Sequence, residues 1–375
     1  MERNRFFPEI RGSFGFGCMR LPQKDGQTDF ETTAQMVDRF LAAGFNYFDT
    51  AAPYLGGQSE EAIRRCVAER YGRGDFVLTD KLSRFFFDSE EEIRPLFERQ
   101  LAACGVEYFD FYLMHAQTAP IYEKYRRCRA YETALEFKKE GRIRHFGISF
   151  HDRAEVLERI LTDWPEIEAV QIQFNYLDYT DPSIDSRRVY EVCERYGKPV
   201  IVMEPVKGGA LAKLPEQAQA ALDALGGDCG SAGYALRFAA GFPQAAMVLS
   251  GMSTAEQMEE NLAVMARPAP LDDRELTALG EVRRAIRALD MIGCTACRYC
   301  TDGCPMRIRI PDLFAVFNAK RLFQNRNQIF YYEGVFTDGS GKASDCIGCG
   351  RCEQACPQGL PIRQLLRQVA EEFEG

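Results

Sequence analysis

The chain has 375 residues and a net charge of −9, and 46% of its residues are hydrophobic, which is typical of a large globular domain accompanied by a smaller one. Its acidic balance argues against nucleic acid and anionic membranes as partners, because both demand a basic surface. No apolar run is long enough to span a membrane and the first residues lack a secretory pattern, so the expected location is the cytoplasm.

Short apolar runs alternate with amphipathic helical patterns along the first two thirds of the chain. The predicted strands cover residues 13–19, 45–50, 76–80, 109–114, 143–149, 169–174, 200–204 and 246–250. The predicted helices cover residues 28–43, 58–72, 89–105, 122–140, 152–162, 185–196, 215–240 and 254–266. Eight such units predict an α/β fold, a closed (β/α)₈ TIM barrel. An open doubly wound sheet is the alternative, but no Gly-x-Gly-x-x-Gly turn follows the first strand.

Ionisable side chains stand at the ends of three consecutive predicted strands. Asp49 ends the second strand and Tyr54 follows it, Lys81 follows the third strand and His115 closes the fourth. In a barrel these strand ends meet at the face where active sites are built, so the four residues are predicted to be catalytic. A lysine about 4 Å from the tyrosine would lower the phenol pKa by about three units before burial opposes it. Tyr54 is therefore the predicted general acid, Asp49 holds Lys81, and His115 orients a carbonyl oxygen.

From about residue 15 to 262 the sequence resembles the aldo/keto reductase family. The resemblance rests on Asp49-Thr-Ala-Ala-Pro-Tyr54 followed by Lys81 and His115, which match the family's catalytic tetrad in order and context. It implies hydride exchange between a nicotinamide, NADPH or NADH, and a small-molecule carbonyl or alcohol. It also implies a set of cofactor-binding positions: Arg20, Ser149, Gln171, Met203, Glu204, Ser250, Gly251, Gln257 and Asn261.

The sequence departs from this family at the cofactor. Met203 and Glu204 stand where most members have Tyr-Ser, and Gln257 stands where an arginine is frequent. Basic residues for a 2′-phosphate are missing from residues 250–256, which leaves Lys207 or Arg20 for that role. Arg20, His151 and residues 85–87 are further candidates for lining the pocket.

Eight cysteines form the same run twice near the C-terminus, Cys-x2-Cys-x2-Cys-x3-Cys-Pro, beginning at Cys294 and at Cys346. This spacing is typical of bacterial [4Fe–4S] ferredoxins rather than of zinc sites. The fourth cysteine of such a run ligates the other cluster. The predicted ligands are therefore Cys294, Cys297, Cys300 and Cys356 for one cluster, and Cys346, Cys349, Cys352 and Cys304 for the other.

The predicted domains are a barrel over residues 1–267, a helical connector over 268–290 and a two-cluster domain over 291–375. Helical spacing of Leu313, Phe314, Phe317 and Leu322 favours a mostly helical ferredoxin-like domain.

The pairing of the two domains leaves the source of electrons open, because a hydride carries two electrons and a cluster moves one. The first interpretation is a nicotinamide-dependent reductase with accessory clusters. The second is a cluster-wired reductase that takes electrons from an external redox partner protein through a flavin or a substrate radical. The third is a redox-sensing binding subunit whose barrel is not catalytic.

Overall fold

The computed structural model describes residues 2–181, 184–227, 229–288, 291–294, 296–323, 327–356 and 358–375. Some sequence predictions fall outside these ranges: residue 228 of the predicted helix 215–240, residues 289 and 290 of the predicted connector, and Pro357 after the last cysteine. No helix in the described ranges is long and apolar enough to cross a membrane.

The predicted barrel is confirmed. Its strands are β1 (Phe14–Gly17), β2 (Tyr47–Asp49), β3 (Val77–Leu82), β4 (Phe109–Gln117), β5 (Ile143–Phe150), β6 (Ala169–Gln173), β7 (Val200–Met203) and β8 (Ala245–Gly251). All neighbouring strands are parallel, and β1 pairs with both β2 and β8, which closes the ring. A small hairpin of Gln23–Lys24 and Gln27–Thr28 follows β1.

Helices surround the barrel. They are α1 (Phe30–Ala42), α2 (Gln58–Ile63), α3 (Ile93–Cys104), α4 (Ala119–Arg127), α5 (Ala130–Lys139), α6 (Ala154–Asp163), α7 (Ser186–Arg195), α8 (Glu216–Asp223), α9 (Ser231–Ala240), α10 (Ala255–Met265) and α11 (Asp273–Arg287). The single helix predicted over 122–140 is wrong, because Arg129 takes a left-handed conformation (φ 51°) between α4 and α5. The prediction over 215–240 is also wrong, because Gly226 (φ 67°) and its neighbours end α8 before α9 begins.

Apolar side chains form two layers in the barrel. Phe111, Leu113, Met247 and other inward side chains fill its interior, and a larger shell of apolar residues packs the strands against the helices. Helix α11, the predicted connector, also packs on the barrel, where Arg237 bonds Glu275 at 2.6 Å. In a barrel of this kind the active site is built at the mouth, which the C-terminal ends of the strands form.

The opposite end of the barrel is plugged by the N-terminal segment. The ring of Phe7 packs on Phe111 with centroids 4.8 Å apart. Beside it, His145 of β5 lies 2.6 Å from Glu9 and 2.9 Å from Glu168. Burial alone would lower the pKa of His145, but the two carboxylates raise it to about 9.

This histidine should make stability depend on pH. A folded-state pKa raised from 6.5 to about 9 contributes stability that is complete below about pH 6.5 and is lost as the pH rises through 9. We expect anaerobic thermal unfolding of the native protein to show this loss, and His145→Gln, which cannot titrate, to lack it. Parallel pH profiles for the two proteins would contradict the assignment.

The C-terminal part is mostly helical, as predicted. It contains α12 (Tyr299–Asp302), α13 (Ile310–Phe323), α14 (Asn327–Phe330), a π-helical turn (Tyr331–Phe336), α15 (Arg351–Ala355) and α16 (Ile362–Glu374). It has a hydrophobic core of its own, to which α13, the π-helical turn and α16 contribute. This part lies over the mouth of the barrel.

Candidate active site

The predicted acid, lysine and tyrosine meet at the mouth. Lys81 lies on β3 rather than after it, and its Nζ donates hydrogen bonds to Asp49 Oδ1 at 2.6 Å and to the carbonyl of Thr50 at 2.8 Å. The same ammonium lies 4.8 Å from the ring centroid of Tyr54. Gln171 donates to the second oxygen of Asp49 at 2.9 Å. The carboxylate is thus fixed from two sides.

Burial governs the protonation states at this site. Burial alone would disfavour the charge of Lys81, but Asp49 and Tyr54 raise its pKa, so the ammonium stays charged. Burial also raises the pKa of Tyr54, and Lys81 offsets only part of that effect. Lys81 thus lowers the pKa of Tyr54 as predicted from the sequence, but burial outweighs the lysine and the net pKa is raised. The phenol is held protonated, which is the form an acid needs before it donates.

The predicted histidine lies beside the phenol. The rings of His115 and Tyr54 are 5.9 Å apart, edge to face, and Ser83 Oγ lies 2.6 Å from His115 Nδ1. Burial, Lys81 and nearby cations lower the pKa of His115 well below its ordinary value, so the ring is neutral. When the Ser83 hydroxyl is the donor of this contact, the proton of the neutral ring lies on Nε2. Next to it, Ala116 has φ 53° where the register of β4 shifts, which turns the histidine towards the mouth.

A cavity at the mouth is lined by Asp49, Tyr54, His115 and most of the predicted cofactor positions. Its lining includes six of them: Arg20, Ser149, Gln171, Met203, Glu204 and Gly251. The other three positions, Ser250, Gln257 and Asn261, make hydrogen bonds within the protein. Asn261 donates to Ser250 Oγ at 3.0 Å, and Gln257 Oε1 accepts from the backbone of Ser253 at 2.8 Å.

The charged candidates for phosphate binding have partners within the protein. Lys207 is buried and bonds Asp178 at 2.6 Å, which turns its charge away from the cavity. Arg20 lies 3.7 Å from Glu204 Oε1, and its Nη2 makes no hydrogen bond within the described part of the chain. Arg20 is consequently the better placed of the two to meet a ligand.

Only some of the other residues predicted to line the pocket do so. His151 lines the cavity, whereas Phe85 and Phe86 are exposed and Phe87 packs on Tyr125 at 5.1 Å. Side chains alternate along a strand with a period of two, so Ser83 lies on the same face as Lys81. The sequence could therefore have identified Ser83 as a residue of the site.

Three lining residues come from the C-terminal part: Asn327, Phe330 and Tyr331. Sequence reasoning missed all of them, because no local pattern reports a contact between residues so far apart in the chain.

One predicted cluster set surrounds a single cavity. Cys294, Cys297, Cys300 and Cys356 line it together, so the structure brings the fourth cysteine of the second run to the first run. The backbone N–H of Ala296 points at Cys294 Sγ at 3.4 Å. Four thiols and an N–H aimed at sulfur suit an iron–sulfur cluster.

The second predicted set is less completely gathered. Cys352 is buried, Cys304 and Cys346 pack on the core of the C-terminal part, and Cys349 is exposed. Burial raises the pKa of the Cys352 thiol, and the nearby Cys346 raises it further.

The two cysteine runs share a backbone conformation. Ala296 (φ 52°) and Arg298 (φ 66°) in the first run correspond to Gly348 (φ 71°) and Gly350 (φ 75°) in the second. The repeat seen in the sequence is thus also a repeat of local structure.

A closed parallel barrel with an ion pair, a phenol and an imidazole at its mouth defines a TIM-barrel enzyme. The family model "Aldo/keto reductase family" matches residues 13–284, and the model "4Fe-4S dicluster domain" matches residues 293–360. The chain belongs to the aldo/keto reductase family and carries an iron–sulfur domain. It is an oxidoreductase.

Similar proteins agree with this membership. An uncharacterized oxidoreductase, YqkF, of Bacillus subtilis (strain 168) is 25% identical over 71% of this chain and 90% of its own length. The holo form of an aldo-keto reductase from Bacillus halodurans matches with a TM-score of 0.56 and 25% identity, over 72% of this chain and 91% of that chain. An aldo-keto reductase from Klebsiella pneumoniae, solved in complex with NADPH, shares the fold at a TM-score of 0.57 and 19% identity, over 72% of this chain and 90% of that chain.

Proposed function

We propose that the protein reduces a small-molecule carbonyl, or oxidises the corresponding alcohol, with a nicotinamide cofactor and with Tyr54 as the general acid. The observation that carries this proposal is a cavity lined by Asp49, Tyr54 and His115, with the buried Lys81 bonded to Asp49 and 4.8 Å from the Tyr54 ring. The family membership supports the same chemistry.

Each member of the group has a role that follows from its surroundings. The protonated Tyr54 donates to the carbonyl oxygen, and the ammonium of Lys81 stabilises the phenolate left behind. Asp49 keeps the ammonium charged and in place at 2.6 Å. Neutral His115 donates from Nε2 to the same carbonyl oxygen, where negative charge develops.

The residues around the cavity fit a nicotinamide. The hydroxyl of Ser149, the amide of Gln171 and the guanidinium of Arg20 belong to residues that line the same cavity as Tyr54. When bound, a nicotinamide supplies or accepts hydride at the carbonyl carbon. Residues 250–257 contain neither lysine nor arginine. This loop therefore offers no cationic side chain to the 2′-phosphate that distinguishes NADPH from NADH.

The C-terminal part is proposed to hold two [4Fe–4S] clusters in residues 291–375, behind a barrel over 1–267 and a connector over 268–290. Cys294, Cys297, Cys300 and Cys356 would hold one cluster, and Cys304, Cys346, Cys349 and Cys352 the other. The cavity shared by the first four thiols supports this division.

A second candidate, the cluster-wired reductase, is favoured by one specific observation. Arg298 lines the cavity of the first cysteine set and also a second cavity between the two parts, which reaches His151 and Tyr331. These two residues also line the catalytic cavity. The clusters would carry single electrons from an external low-potential donor towards the same carbonyl.

Anaerobic turnover distinguishes the two candidates. The holoprotein is mixed with propanal and with NADPH, NADH or reduced methyl viologen, and the disappearance of each reductant is followed optically. We expect oxidation of a nicotinamide at least about ten-fold faster than the same mixture without protein. Reduction of propanal by viologen alone, with neither nicotinamide consumed, would replace the first candidate by the second.

A further inference from the structure

The segment from Asn327 to Asp338, here called the cap segment, connects the iron–sulfur part to the mouth of the barrel. At one end, Asn327 Nδ2 donates to Glu204 Oε1 at 2.8 Å, on the loop after β7. At the other end, Arg84 on the loop after β3 bonds the carboxylate of Asp338 and the carbonyl of Gly334. The cap segment therefore spans the mouth between two loops that flank the catalytic cavity.

A further contact fixes the cap segment from behind. Arg309 lies 3.7 Å from Asp152 on the loop after β5, and its guanidinium stands over the ring of Phe336 at 5.4 Å. Asp152 follows His151, which lines the cavity. Three loops of the barrel thus hold the cap segment, and its position over the cavity is determined by several independent contacts.

Two adjacent tyrosines of the cap segment face opposite ways. Tyr331 lines the catalytic cavity, is only 8% exposed and packs 5.7 Å from the ring of His151. Its phenol group is therefore part of the wall of that cavity. Tyr332 turns into the iron–sulfur part, stacks on Phe373 at 4.5 Å and accepts from the backbone of Ala343 at 3.0 Å.

We propose that Tyr331, supplied by the iron–sulfur part, is a substrate-contacting residue of the barrel and limits the size of the carbonyl compound that reaches Tyr54. The inference rests on the proposed function, because it concerns the substrate of that same cavity. The phenol ring lines the same cavity as Asp49, Tyr54 and His115, and its hydroxyl is a hydrogen-bonding group for the substrate.

Truncating this wall should change selectivity for size. In Tyr331→Ala the ratio of kcat/KM for 2-naphthaldehyde to that for propanal should rise at least about ten-fold, because bulk that excluded the larger aldehyde is gone. The matched control is Tyr332→Ala, which removes the same bulk from the neighbouring position that faces away. Its ratio should stay within about two-fold of the native value.

Removing only the hydroxyl tests the second part of the proposal. Tyr331→Phe keeps the ring, so the size ratio should not change. It should raise KM for propanal about five-fold with kcat nearly unchanged, as expected when a contact made equally in the ground state and the transition state is lost. Visible cluster absorbance and circular dichroism verify folding, and Tyr331→Leu replaces the alanine variant if that one does not fold.

Each outcome decides the matter. A size ratio unchanged in Tyr331→Ala or Tyr331→Leu with clusters intact overturns the proposal, and so does an equal shift in Tyr332→Ala. If the native protein turns over neither aldehyde with NADPH, NADH or reduced methyl viologen, the proposed function fails and this inference fails with it. Turnover of propanal with unaltered selectivity in the variants contradicts this inference alone.

Discussion

Tyr54→Phe is expected to lower nicotinamide-dependent reduction of propanal by at least about 100-fold. The variant keeps the ring beside His115 but removes the proton that the carbonyl oxygen must receive. Nicotinamide affinity should change little, because the phenol is one contact among many around the cavity. Steady-state rates measure the loss, and titration of the protein with NADP⁺ or NAD⁺ measures the affinity.

A second buried tyrosine of the barrel gives a matched control. Tyr47 lies two residues before Asp49 on β2, and its hydroxyl accepts from Thr79 at 2.6 Å in the barrel interior. Tyr47→Phe should retain the native rate within about three-fold, since its hydroxyl does not line the cavity. A Tyr54→Phe enzyme as active as Tyr47→Phe would remove Tyr54 from the mechanism.

The second prediction with a large expected effect concerns which cysteines bind the same cluster. In the triple variant Cys294→Ala, Cys297→Ala and Cys356→Ala, all three changes fall on the set that lines one cavity. The other set keeps its four thiols, so the variant should retain about half of the native iron, which is about four iron atoms per chain if both clusters form. Iron and sulfide analysis after anaerobic purification measures this content.

The matched triple variant differs at one cysteine. Cys294→Ala, Cys297→Ala and Cys304→Ala change the first run alone, yet with crossed ligands they remove thiols from both sets. This variant should lose nearly all cluster iron. If each run instead binds its own cluster, the two variants exchange their results, and the crossed assignment is wrong.

The sequence was sufficient to predict the barrel because parallel strands buried on both faces read as apolar runs, and each is followed by an amphipathic helix. The breaks between successive helices were harder to predict from the sequence. The break at Arg129 depends on one arginine in a left-handed conformation, which no helix propensity reports. The loop at Gly226 had a local signal in its glycines, but helical periodicity on both sides concealed it.

The grouping of the proposed catalytic residues was predictable because strand ends converge in a barrel, so residues 32 positions apart, such as Asp49 and Lys81, become neighbours. The protonation state of Tyr54 was not predictable, because the balance between burial and the lysine charge depends on packing from every side. The role of the cap segment was also out of reach, since Asn327 and Glu204 are joined only by the way the two parts of the chain pack.

The repeated left-handed positions of the two cysteine runs are occupied by different kinds of residue. The second run has glycine at both positions, whereas Ala296 and Arg298 in the first adopt the same conformation at about 1 kcal/mol each. The arginine offsets that cost by a two-point contact with buried Asp312 at 2.7 and 3.0 Å, and Asp312 bonds Arg309 at 2.8 Å. Because Arg309 also lies 3.7 Å from Asp152 of the barrel, the loop of the first cysteine run is tied through Asp312 and Arg309 to the barrel mouth.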